Sequence, residues 1–112
     1  MNEAVLDWHT PLDQGRYTQA LYREALGHFL QEERDSSAEI VGWITQGKTD
    51  QALEAVRRVK ERATDLGAKA LSHAAFSLEI AIKGGADTAS SLPHFESVFV
   101  DTMLAIAVYV GG

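Results

Sequence analysis

Residues 57–69 hold the densest set of chemistry-bearing side chains in this 112-residue chain. Arg57, Arg58, Lys60, Arg62 and Lys69 stand there against Glu61 and Asp65, a net +3 in a chain of net −6, which leaves −9 elsewhere. A basic island on an acidic body suits the docking of an acidic partner, although the same charges can be the solvated flank of a helix. The four histidines, His9, His28, His73 and His94, are the candidate acid–base and phosphoryl-accepting groups. His73 has the small neighbours Ala74, Ala75 and Ser77, which leave it accessible. His28 has Glu24 and Glu32 one turn to either side, a spacing that can hold a divalent metal, but no second cluster completes a coordination sphere, so it reads as a surface group. His9 and His94 carry no evident chemistry. Serines 36, 37, 72, 77, 90 and 91 form no plausible triad, and Gly84-Gly85 lacks the lysine and serine of a phosphate-binding loop. These patterns ask for no cofactor, metal or small-molecule substrate, and an enzyme is not expected.

The elements that must position these groups are helices. Strand-like alternation is missing, only Pro11 and Pro93 interrupt, and apolar residues recur three and four apart. The chain is expected to be one domain, 1–112, with a lead-in over 1–13 that packs Trp8 on the body. Tyr17, Leu21, Ala25, Phe29 and Leu30 predict a first helix over about 14–34. Ser36 with Glu39 predicts a capping box opening a second, which carries Ile40, Trp43 and Ile44 and ends at Gly47. Thr49 or Asp50 is expected to cap a third helix over 51–66, stopped by Gly67. A fourth follows over 68–83, and a fifth opens at Ser90 or Ser91 with Pro93 in its first turn. Phe29, Trp43, Phe76, Phe95 and Phe99 are read as packing residues. Short loops between long amphipathic helices predict an all-α antiparallel up-down four-helix bundle.

No disulfide can form, because cysteine is absent. The acidic N-terminal stretch lacks the order of a secretion signal, and Asp101 and Thr102 interrupt the longest apolar run. A cytoplasmic location, no membrane and, from the net negative charge, no nucleic acid are the expectations.

At about 100° per residue, Ala52, Val56, Val59, Ala63 and Leu66 share a narrow arc of the third helix and must face the core. Arg57 and Glu61 lie opposite, placed to pair across one turn, with Thr64 nearby. Lys60 and Arg62 flank the core on its two edges. Residue 57 is thereby expected in solvent at mid-helix.

The run Arg57-Arg58-Val59-Lys60-Glu61 through Leu66-Gly67-Ala68 resembles the histidine-containing phosphotransfer (HPt) motif, approximately His-x-Leu-Lys-Gly-x-x-x-x-Leu-Gly-Ala. The spacing puts Lys60 on the motif lysine, Arg57 on the phosphorylated histidine and Glu61 on the glycine. Leu21 to Ala25 with Phe29, Gly47 to Asp50 with Leu53, and Leu71 with Leu78-Glu79 extend the resemblance over roughly 14–85. It implies a four-helix HPt-like bundle in two-component signalling whose partners are receiver domains or histidine kinases. Arginine stays protonated and cannot accept a phosphoryl group, so the resemblance implies a degenerate carrier that binds without transferring. Arg57, Arg58, Lys60, Glu61, Arg62 and Thr64 would form its partner-binding patch. The alternatives are an active carrier using His73, which has no Lys-Gly after it and lies one helix late, and a structural or dimerisation bundle.

Overall fold

A computed structural model describes residues 5–85 and 87–111, so part of the expected lead-in, residues 1–4, lies outside the described residues. Secondary structure among them is wholly helical: α1 (His9–Asp13), α2 (Gln19–Glu32), α3 (Ser36–Thr45), α4 (Thr49–Leu66), α5 (Lys69–Lys83) and α6 (Ser91–Gly111). Thr18 caps α2 by accepting from the Leu21 amide at 3.2 Å. The expected capping box at α3 is absent, because Ser36 turns its hydroxyl to the Glu33 carboxylate instead.

The predicted arc of α4 is buried as a set: Ala52, Val56, Val59 and Ala63 are inaccessible and Leu66 nearly so. The helix stops at Gly67, whose φ of +84° lets the chain close with Ala68 N–H donating to Ala63 O at 2.8 Å and Gly67 N–H to Thr64 O at 3.3 Å. That corner is gripped from two sides. Asp7 N–H donates to the Gly67 carbonyl at 2.8 Å, and the buried Tyr22 hydroxyl donates to the Leu66 carbonyl at 2.5 Å. Asp7 accepts from Thr10 and pairs with Lys69 at 3.0 Å, contacts that hold its carboxyl well below the usual range.

From the corner, α5 runs back along α4. Thr64 meets Ser72 at 2.6 Å, Lys60 lies over the Phe76 ring, and Arg57 reaches Glu79, a register mirrored about residue 68 that makes the pair antiparallel. Helix α6 packs on both α5 and α2. Arg23, early in α2, donates to the carbonyls of Tyr109 and Val110 at the end of α6, where backbone acceptors lack helical partners. Leu30, late in α2, shares a groove with Phe99 and Met103, so this pair is antiparallel too. By length and composition α6 could cross a membrane, yet Phe95, Phe99, Thr102 and Ile106 are buried in the protein core. The radius of gyration, 14.1 Å, is close to the ~13 Å of one compact body of this length.

Candidate functional site

Helix α4 carries its cations on two edges, and each edge clamps one buried carboxylate from a neighbouring helix. On one edge Arg58 and Arg62 converge on Glu33, just beyond the end of α2 and only 1% exposed. Arg58 Nη2 lies 3.1 Å and Arg62 Nη1 2.7 Å from its oxygens, and Arg62 also reaches Glu32 at 2.9 Å. On the other edge Arg57 Nε donates to Glu79 Oε2 at 2.8 Å and Lys60 Nζ to Oε1 at 2.6 Å. Glu79 is 7% exposed. Both carboxylates are buried charges that persist because each has two cationic donors.

Their acidities follow. Burial is the largest influence on Glu33 and raises its pKa, but the bonds from Arg58, Ser36 and Arg62 together outweigh it and leave the carboxyl below its ordinary value. Glu79 is lowered chiefly by Lys60, then by Arg57. A depressed folded-state pKa gives stability that is present above the unfolded carboxyl pKa of ~4.3 and lost as pH falls through the folded value. Acid melts should therefore steepen below about pH 4.5, and a Glu33→Gln, Glu79→Gln variant should flatten that limb; an unchanged acid slope would mean the clamps contribute nothing. Glu33→Ala at neutral pH should cost about 2–3 kcal/mol, below the ~3–5 of a fully buried pair because the arginines can rehydrate.

These pairings redraw the basic island. Glu32, Glu33 and Glu79, all from outside residues 57–69, cancel its excess of three positive charges. Arg57 is exposed as expected, its side chain 46% accessible at mid-helix, but it is tied to Glu79 rather than to Glu61. Glu61 stands in solvent. Thr64 donates to the Lys60 carbonyl at 2.8 Å and shares a hydroxyl contact with Ser72. Arg57, Lys60 and Thr64 thus share the α4/α5 edge, whereas Arg58 and Arg62 lie on the edge toward α2.

Phe76 does not pack in the core. Its ring is 52% exposed beneath Lys60, and Ile80, one turn on, is similarly bare. The periodicity of α5 contained this signal, since its buried residues Leu71, Ala74, Ala75 and Leu78 leave Phe76 outside their arc. Glu79 gave no comparable signal, because its role depends on the approach of another helix.

The histidines lie elsewhere. His73 and His94 line one hollow between α5 and α6 with Ser77, away from Arg57. His28 borders a small hollow with Tyr17, Arg62 and Asp65. Among the described residues no three His, Asp or Glu side chains converge as metal ligands. The hollow over Arg57 and Glu61 is lined by α4 alone, so it is an open face with no opposing wall. Such a face can bind a surface and is poorly built to enclose a small molecule. Comparison with known proteins returned no matching family model, curated protein or solved structure.

Proposed function

We propose that this chain is a degenerate HPt-like module, in which α2, α4, α5 and α6 form the up-down four-helix bundle, α1 is the lead-in and α3 a connecting helix. It binds a receiver domain or histidine kinase in the cytoplasm and carries no phosphate. The observation that carries the reading is the Arg57–Glu79 pair. At the position aligned with the acceptor histidine stands a cation, and against it a carboxylate that would oppose phosphoryl charge and already occupies Lys60. The two charges compensate each other and leave the residue aligned with the acceptor fixed in a surface role.

The recognition surface is amphipathic. Phe76 and Ile80 offer apolar area beside Arg57, Lys60 and Thr64, so a partner can bury a bare aromatic while its acidic pocket competes with Glu79 for Arg57. Charge neutralisation within the island makes the apolar pair the larger contributor. Titrating the protein into a panel of receivers and kinases should detect saturable binding. Phe76→Ala should weaken it by about 5- to 30-fold, as expected for an interface aromatic worth ~1–2 kcal/mol, and Arg57→Glu should weaken it with loss of salt sensitivity. Absence of binding across the panel, or binding indifferent to both changes, would remove this face from the function.

A further inference from the structure

The outer face of α6 carries three exposed large hydrophobic side chains, Val100, Leu104 and Val108. They repeat one turn apart and are 56%, 61% and 75% exposed. With Ser97, Ala107 and Gly111, also exposed, Val100 and Leu104 fall on alternating three- and four-residue spacings, the a/d pattern of a two-helix seam. The seam is flanked by opposite charges. Arg34 borders the groove formed by Leu30, Phe99, Val100, Met103 and Leu104, which puts it on the Met103 side. At about 100° per residue Asp101, exposed, falls on the other side. Among the described residues Arg34 pairs with its neighbour Asp35 at 3.6 Å, a largely exposed contact that stabilises little.

We propose that a second copy of this chain covers the face, the two α6 helices packing side by side and parallel about a two-fold axis. The charges select this arrangement. A two-fold axis running along the helices brings opposite flanks together at the same level, so Arg34 of each copy faces Asp101 of the other, twice. An antiparallel pairing brings like flanks together; Arg34 would then meet Glu96, which shares its flank, with the axis near Phe99, and that offset leaves Leu104 and Val108 uncovered. An isologous interface must be self-complementary, and this face is so over its whole length only in the parallel sense. The seam from Ser97 to Gly111 is about 21 Å long at ~1.5 Å per residue, too short for the ~800 Å² per partner of a standard interface. The dimer is therefore weak and concentration-dependent. Arg57, Phe76 and Ile80 take no part in the seam, so each dimer presents two docking faces.

Sedimentation equilibrium from micromolar to millimolar protein should show mass rising toward twice that of the chain. Leu104→Glu should hold it at the monomer mass with helicity and melting little changed, since Leu104 is mostly exposed. Arg34→Glu should weaken association at least about tenfold, as for a lost and reversed charge pair, and adding Asp101→Arg should restore it. Monomer mass at every concentration overturns the proposal. So does a monomer that instead co-sediments with phosphatidylcholine vesicles, which would assign the face to a lipid surface. Failure of the double charge reversal to restore what Arg34→Glu removes, with Leu104→Glu still disruptive, would overturn the parallel arrangement.

Discussion

Gly67→Ala should lower the stability of the protein by about 3–5 kcal/mol and its melting temperature by roughly 12–20 °C. Two separate penalties add. The backbone at Gly67 has φ +84°, a left-handed conformation in which a side chain costs about 1 kcal/mol. A Cβ there would also run into the backbone carbonyl of Asp7, which cannot swing aside as a flexible side chain could. Relief requires the lead-in to retreat, breaking the 2.8 Å bond from Asp7 N–H to Gly67 O and disturbing the pairing of Asp7 with Lys69. Gly47 supplies the control: its φ is +73°, but nothing lies within 4 Å of a Cβ built on it. Gly47→Ala should therefore cost only the conformational part, about 1 kcal/mol. Equal losses in denaturant melts of the two variants would show that the contact with Asp7 does not matter. The corner lies about 15 Å along α4 from Arg57 at ~1.5 Å per residue, so folded Gly67→Ala protein should keep the binding proposed for the Arg57 face.

That corner also shows what the sequence could and could not disclose. Gly67 as the end of α4 was legible, since a glycine after an apolar-periodic run stops a helix whatever surrounds it. The buried arc of α4 was legible for a similar reason: 3.6-residue periodicity fixes which residues share a face before any neighbour is known. The approach of Asp7 to Gly67 was not, because no local pattern encodes a contact spanning sixty residues. The site divides in the same way. Exposure of Arg57 follows from the arc, but its partner does not. Glu61 was the natural choice by spacing, yet a contact across one exposed turn stabilises by only tenths of a kcal/mol, and buried Glu79 offers Arg57 and Lys60 a stronger bond. Ser36 likewise gave up a local cap to bind Glu33. Each local motif lost to a carboxylate that tertiary packing had placed in the interior, where its demand for donors is greatest.

Replacing three side chains should turn this face into a phosphoryl acceptor if it is built on an HPt plan. Arg57→His supplies a nucleophilic nitrogen at an exposed mid-helix position, but alone it should take up little phosphate. Glu79 would remain beside it, and two unit charges about 4 Å apart repel by ~1 kcal/mol in water and ~4 kcal/mol at a surface of intermediate dielectric, with a phosphoryl group carrying nearly two. Glu79→Gln removes that repulsion and releases Lys60 from its 2.6 Å pairing to neutralise phosphoryl oxygens instead. Glu61→Gly then clears the residue one turn on, letting a partner backbone approach, at about 1 kcal/mol of helix stability. The triple variant should acquire acid-labile phosphate from a phosphorylated kinase or receiver that binds the natural chain, at least about tenfold faster than Arg57→His alone, as ~1.4 kcal/mol of relieved repulsion requires. The natural chain should acquire none. Label on the natural chain that disappears with His73→Ala would establish the active-carrier alternative. A folded triple variant that binds the partner yet stays unlabelled would show that the spacing of Arg57, Lys60 and Gly67 does not place residue 57 where a phosphoryl group is delivered.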